Sequence, residues 1–360
     1  MKEFYSGTRI IAGSGAVREL KNLGIKRLFL VTDPFFVESG VAHRIAAGAQ
    51  AQAVEIFQDV RPDPSVALVA EGTVRVEAFA PDGIVALGGG SAMDCAKAMA
   101  YFGGSKAKLI AIPTTSGSGS EVTDFSILTH ENVKHPLVHQ RLRPEVAILD
   151  DELLQKLPPS LVADAGFDVL AHALEAYVAK NAGAITDALA RDAFCSAFAA
   201  LPSSFAGDVS VRLKVHVAAT MAGMAFAQAG LGLCHAMAHS LGGMFHVPHG
   251  RLNAILLPAV VVCNARRAGD KYATLARAAG LGGSADTVAV RNLENCLVRL
   301  RTALKLPATL AQAGVAPRQV WQSMEQIIEA TLADPCCDTN PVAVEGYMVR
   351  QILEEVMGRV

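Results

Sequence analysis
The chain's 360 residues are 51% hydrophobic and 18% charged, enough apolar material for the cores of about two domains of roughly 150 residues each, which excludes disordered, collagen-like and coiled-coil proteins. Lys+Arg 32 against Asp+Glu 34 gives a formal charge of −2 with no basic stretch longer than Arg266-Arg267, so a nucleic-acid partner is excluded on electrostatic grounds. The longest uncharged apolar run, near residues 254–263, contains Pro258 and Met1–Arg9 lack a signal-peptide core; with roughly 18 apolar residues needed to cross a bilayer, the expectation is a soluble, cytoplasmic chain without a membrane partner.

In chain order, short β-branched runs at Arg27–Thr32, Ala53–Phe57, Gly83–Leu87, Leu109–Ile112 and Val146–Leu149 alternate with helical stretches at about 37–49, 65–79 and 91–102. That alternation predicts an open α/β unit with a mostly parallel sheet, whose ligand lies at the carboxyl ends of the strands. Thr123–Thr129 and Val133–Val138, joined through Glu131-Asn132, read as a hairpin inserted before the last strand. After Asp150 the texture becomes Ala-rich with a 3.6-residue period, which predicts an all-helical domain. Pro158-Pro159-Ser160 reads as a stop followed by a helix cap, and Gly230, Gly232, Gly282-Gly283 and Pro307 punctuate the later helices. The seven cysteines are scattered with no CxxC pair, which predicts free thiols and a reducing compartment.

Two loops at strand ends carry chemistry. Gly88-Gly89-Gly90-Ser91 follows the strand GIVAL and opens a helix; the glycines admit a diphosphate to the backbone, and Ser91 is expected to cap a helix whose N-terminal amides attract the anion. The plain alternative is a tight strand-to-helix turn, and the G-x-G-x-x-G fingerprint is absent. Pro113–Thr123 offers six hydroxyls within ten residues at the next strand's end, a density suited to phosphate, ribose or nicotinamide groups or, more simply, to a solvated linker. Asp33 ends the strand RLFLVTD, where a carboxylate could accept ribose hydroxyls and repel a 2′-phosphate, or serve as a turn residue.

A third constellation contains nitrogen and oxygen donors. Asp168 and His172 are four apart on one helical face, and four of the ten histidines, His235, His239, His246 and His249, fall within fifteen residues. Three imidazoles and a carboxylate suit Fe²⁺ or Zn²⁺ better than Mg²⁺ or Ca²⁺, and would leave room for a substrate. Spacing alone does not say which of the histidines ligate.

The segments GGGSAMDCAKA, AIPTTSGSGSEVT, VADAGFDVLAHALEAY, GLGLCHAMAHSLGGMFHVPHGRLNAILLP and Cys337-Asp338-Thr339-Asn340-Pro341 resemble the iron-containing (group III) alcohol dehydrogenases over essentially the whole chain. The resemblance implies metal ligation by Asp168, His172, His235 and His249, with His239 beside the nicotinamide and catalytic. It implies that Gly89, Gly90 and Ser91 hold the cofactor diphosphate, that Asp94, Thr114, Thr115, Ser118, Thr123 and Lys134 line the cofactor cleft, and that Asp33 selects NAD(H). His246 and Cys234 receive no role. Ser118 stands where the family often has Thr, and Asp150-Asp151 replaces Asp-Pro; neither change removes a ligand or a phosphate contact.

The expected organisation is then an α/β dinucleotide-binding domain over 1–155 and an all-α metal and substrate domain over 156–360. The expected reaction is hydride transfer between NAD(H) and a short-chain primary alcohol or aldehyde, 1-propanol and propionaldehyde first, with Fe²⁺ or Zn²⁺. Phe125 and Phe226 are expected to line an apolar substrate pocket. The resemblance further implies a homo-oligomer, dimer or larger, serving propanediol utilisation in the cytoplasm or a bacterial microcompartment. The alternatives are a glycerol-dehydrogenase-like polyol oxidoreductase, a metal-dependent hydrolase, and a nucleotide-binding protein with a structural metal. The two strand-end loops argue against the hydrolase, which has no use for a dinucleotide cleft.

Overall fold
The computed structural model describes residues 4–358 except Asn132 and the side chain of Val133. Met1–Glu3 of the N-terminal segment and Asn132 of the hairpin turn read above therefore lie outside the described residues. The chain divides into two compact units: Tyr5–Leu157, and Pro158–Val360 together with Phe4.

The first unit contains β1 (Arg9–Ala12), β2 (Arg27–Thr32), β3 (Ala53–Phe57), β4 (Gly83–Gly88), β5 (Lys108–Pro113), β6 (Phe125–His130), β7 (Val133–Val138) and β8 (Val146–Leu149). Six of these form a sheet of order β1-β8-β5-β4-β2-β3 in which every pairing is parallel. The antiparallel hairpin β6-β7 is a separate two-stranded sheet. Both faces of the main sheet are covered: Phe29, Val31, Ile84 and Leu109 belong to one buried cluster, and Leu28, Leu30, Val85 and Ile110 to another. This explains why the strands read as continuous apolar runs rather than alternating ones.

Four helices cover this sheet: α1 (Pro34–Glu38), α2 (Val41–Gly48), α3 (Val66–Phe79) and α4 (Gly90–Phe102). The single helix expected over 37–49 is two, because Gly40 adopts φ 73 and breaks the run. Ser91 does not cap α4. Gly89 occupies that position in extended backbone and Ser91 lies inside the first turn. The edge strand β1 carries no clear sequence signal: its four residues are mostly exposed, and its partner among the described residues, β8, is more than 130 residues away.

The second unit is helical throughout its described residues: α5 (Pro159–Val178), α6 (Ala184–Phe205), α7 (Arg212–Ala229), α8 (Leu233–Phe245), α9 (His249–Ala278), α10 (Asp286–Ala303), α11 (Pro317–Gln322), α12 (Met324–Leu332), α13 (Cys336–Thr339) and α14 (Gly346–Val356). Pro158, not Ser160, precedes the first turn of α5; proline with its fixed φ and missing N–H fits a helix start. No single described helix is long and apolar enough to cross a membrane.

Helix α5 organises this unit. Residues Val162–Val178 are buried with the sole exception of Ala165, and Asp164, Asp168, His172 and Glu175 are the carboxylate and imidazole side chains among them. Their spacing of four, four and three places them on one stripe, and a buried polar stripe must find partners. Gly250, at the start of α9, lets it approach: a Cβ there would sit 2.0 Å from the Asp164 carbonyl oxygen. The neighbouring His249 is delivered to the stripe by that close passage.

Candidate nucleotide cradle and metal centre
In the first unit the chain runs from β2 outward to β3 and then returns to the other side of β2 to form β4. The carboxyl ends of β2 and β4 therefore flank a topological switch point, where open α/β sheets bind ligands. Asp33 closes β2 and Gly88-Gly89-Gly90 closes β4. Asp33 caps α1, accepting from Phe36 N–H at 3.3 Å, and its other oxygen lies 3.8 Å from where a Cβ on Gly88 would be. Gly88 is required by its backbone: φ is 151, and a Cβ would meet that of Ala92 at 2.7 Å. A Cβ on Gly89 would meet Thr115 Oγ1 at 3.3 Å and one on Gly90 would meet Ser118 Cβ at 3.5 Å. The glycine turn and the hydroxyl loop thus face one another, leaving backbone amides at the start of α4 for an anion.

The hydroxyl loop is braced from within. Lys97 of α4, 1% exposed, donates from Nζ to Ser120 Oγ at 2.8 Å, Thr123 Oγ1 at 3.1 Å and the Phe125 carbonyl at 2.9 Å. Ser120 in turn donates to Asp94 Oδ1 at 3.2 Å. Burial pushes the Asp94 carboxyl up to about 6 against the pull of Lys97, and burial brings Lys97 down to about 8 against Asp94, Glu121 and Asp124. In the sequence Lys97 passes for a solvated helix residue. Its three acceptors show that Thr123 and, through Ser120, Asp94 shape the loop from inside. Thr114 is buried and its N–H donates to the Gly88 carbonyl at 2.9 Å, while Lys134 on β7 pairs with Asp63 at 2.7 Å. Phe125 lies at the start of β6, its ring 5.7 Å from Lys97 Nζ.

In the second unit the stripe of α5 gathers imidazoles from two other helices. Nε2 of His172, of His235 on α8 and of His249 at the start of α9 lie 3.8, 3.7 and 3.4 Å from Asp168 Oδ1. Ligand bonds near 2.1 Å in tetrahedral geometry would space donors about 3.4 Å apart. Donor types and spacing therefore fit a borderline metal such as iron or zinc. Three members are closed, with side-chain exposures of 11, 6 and 1% for Asp168, His172 and His235, while His249 keeps 35% and opens one side.

Neighbours that the sequence did not reveal set the donors. Glu175 Oε2 lies 2.6 Å from His235 Nδ1, and an ionised carboxylate can only accept there, so Nδ1 keeps a proton and it is Nε2 that presents a lone pair once the ring is neutral. The same carboxylate accepts from Gly232 N–H at 3.0 Å and Cys234 N–H at 2.6 Å, capping α8 from another helix. The visible signal is Glu175 three residues after His172, on the stripe that also carries Asp164 and Asp168. Asn253 donates to Asp168 Oδ1 at 2.8 Å, with the same nitrogen 3.3 Å from His249 Nε2. Despite its burial, the three histidines hold the Asp168 carboxyl well below the usual carboxylate range. His235, also against its burial, is held up to about 9 by Asp168 and Glu175.

His239 behaves differently from the other three. Its Nδ1 lies 2.8 Å from Asp334 Oδ2, not on Asp168, and its ring is parallel to that of His249 with centroids 5.3 Å apart. His246 ends α8 in left-handed backbone and is exposed. Cys234 is buried, its thiol 3.5 Å from Asn253 Oδ1, and all seven cysteines are free. Phe226 of α7 stacks on His172 at 4.4 Å between centroids.

A parallel sheet with a glycine turn at its switch point, in one chain with a His3Asp donor set, has the parts of a metal- and nucleotide-linked enzyme. The family is shown by comparison: the iron-containing alcohol dehydrogenase model matches residues 7–151 and the C-terminal Fe-containing alcohol dehydrogenase model residues 162–357. The chain belongs to the iron-containing alcohol dehydrogenases, an oxidoreductase family that uses NAD(H) and iron. It is 40% identical to a 1-propanol dehydrogenase of Citrobacter freundii, covering 99% of this chain and 100% of that one. It is 36% identical to an NADPH-dependent butanol dehydrogenase of Clostridium saccharobutylicum, covering 98% and 97%. The solved structure of a sulfoacetaldehyde reductase from Bifidobacterium kashiwanohense in complex with NAD⁺ superposes with a TM-score of 0.89 at 27% identity, covering 99% of this chain and 98% of that one.

Proposed function
We propose that this protein interconverts short-chain primary aldehydes and alcohols with NAD(H), propionaldehyde and 1-propanol first, using iron or zinc held by Asp168, His172, His235 and His249. The observation that carries the reading is the convergence of three Nε2 atoms on Asp168 Oδ1 at 3.4 to 3.8 Å. When bound, the metal supplies Lewis acidity toward the substrate oxygen, and the nicotinamide gives or takes the hydride.

The residues of the chain do the rest. Asp168 contributes the negative charge of the centre, and Glu175 holds His235 in its ligating tautomer. Phe226 covers one face of His172 and keeps water from it; an apolar wall there favours an aliphatic substrate over a polyol. His239, free of Asp168, relays the substrate proton or orients the nicotinamide. Gly89, Gly90 and Ser91 receive the diphosphate at the start of α4, and Thr114, Thr115 and Ser118 complete the polar wall. Asp94, Thr123 and Lys134 shape that wall, and Asp33 meets the ribose hydroxyls. A carboxylate at that place favours NAD(H) over its 2′-phosphorylated form.

The same reading includes a homo-oligomer working in propanediol utilisation, in the cytoplasm or a microcompartment; likeness to a 1-propanol dehydrogenase supports it. The test is a spectrophotometric screen of C2 to C5 aldehydes and glycerol with NADH or NADPH, on apoprotein reconstituted with Fe²⁺ or Zn²⁺. Propionaldehyde with NADH should give the highest kcat/KM; a preference for glycerol oxidation would overturn the substrate assignment.

A further inference from the structure
We infer that Asp334 is the positioning residue of His239, fixing which ring nitrogen of that histidine is free to act. The inference rests on the role proposed for His239 above. Asp334 lies 95 residues downstream, after α12, with Oδ2 2.8 Å from His239 Nδ1. Its other oxygen accepts the Cys336 backbone N–H at 2.8 Å, so the carboxylate cannot turn freely. Asp334 is mostly enclosed, with a side-chain exposure of 14% against 35% for His239. An ionised carboxylate accepts and never donates, which leaves the His239 proton on Nδ1 and the lone pair on Nε2. The ring is further held flat against His249, 5.3 Å away at 16°.

His239, Asp334 and Cys336 also bring three potential metal donors within 4.8 Å of one another. The carboxylate, however, already spends one oxygen on the imidazole and the other on a backbone amide, the arrangement of a hydrogen-bonded dyad. Asp334 never touches the reacting atoms: it acts through His239.

The test is Asp334→Asn, whose amide nitrogen would donate to Nδ1 and drive the ring proton to Nε2. Zinc-loaded wild type and variant, labelled with nitrogen-15 histidine, are compared by NMR, with His239→Ala identifying the resonance. The wild type should show the Nδ1–H form and Asp334→Asn the Nε2–H form. Metal content should stay unchanged, and kcat for aldehyde reduction should fall about a hundredfold or more with KM little altered. Asp334→Glu, which keeps the carboxylate, should retain the Nδ1–H form and recover part of the rate, and it serves if the asparagine variant does not fold. An unchanged tautomer, or loss of metal in step with activity, would overturn the inference, the latter by making Asp334 a support or ligand of a metal. Full activity in His239→Ala would instead sink the proposed role of His239 while the tautomer comparison still judges Asp334.

Discussion

At the scale of single residues, buried and capping carboxylates do different work. Glu175 caps α8 and sets His235 at once, so Glu175→Ala should strip both. Leaving two buried amides and a buried imidazole without their acceptor should cost about 2–3 kcal/mol in denaturant unfolding, and metal affinity should fall about 10- to 100-fold by competition with a chelator. Asp33 is the opposite case, with little structural cost attached: glycine replaces an N-cap at a loss of only a few tenths of a kcal/mol. Asp33→Gly should keep the fold and narrow the preference for NADH over NADPH. Equal kcat/KM for the two cofactors in the wild type would remove Asp33 from its role.

Among the elements, the start of α4 and the hydroxyl loop form one device. A Cβ on Gly90 makes only ordinary contact with Ser118, so Gly90→Ala should fold normally, and Gly90→Val should weaken NADH binding, read by fluorescence titration, while metal content stays intact. Normal NADH affinity in the valine variant would make the loop an ordinary turn. Burial raises Asp94 to about 6, so the folded chain holds a proton that the unfolded chain releases above about 4. That contribution to stability is complete at low pH and is lost as pH rises through 6. Asp94→Asn should therefore gain on the wild type by about 2 kcal/mol between pH 4 and 7, measured by guanidinium unfolding at each pH. The sequence showed most of these elements because buried parallel strands are uninterrupted apolar runs and because glycines and hydroxyls cluster at their ends. It concealed β1, whose pairing with β8 is non-local, and the break at Gly40, where a single left-handed residue divides a helical pattern. The candidate donors were legible as residue types and spacing, but neither the choice among the histidines nor the inner supports of the two sites were: Glu175, Asn253, Lys97 and Asp334 each bond to a residue at least eighteen positions away.

For the whole molecule, each of the two units carries a candidate site of its own, the glycine turn and hydroxyl loop in Tyr5–Leu157 and the donors around Asp168 in the unit that begins at Pro158. Three histidines by type and spacing look alike within residues 235–249, yet in the folded chain His235 and His249 face Asp168 while His239 faces Asp334. Which of them empties the centre when removed therefore separates donors from neighbours. The most direct measurement is elemental analysis of purified His235→Ala, His239→Ala and His249→Ala. His235→Ala and His249→Ala should carry little metal, since each loses one of four donors, and His239→Ala should carry as much as the wild type. A metal-free His239→Ala, or a fully metallated His249→Ala, would contradict the assignment.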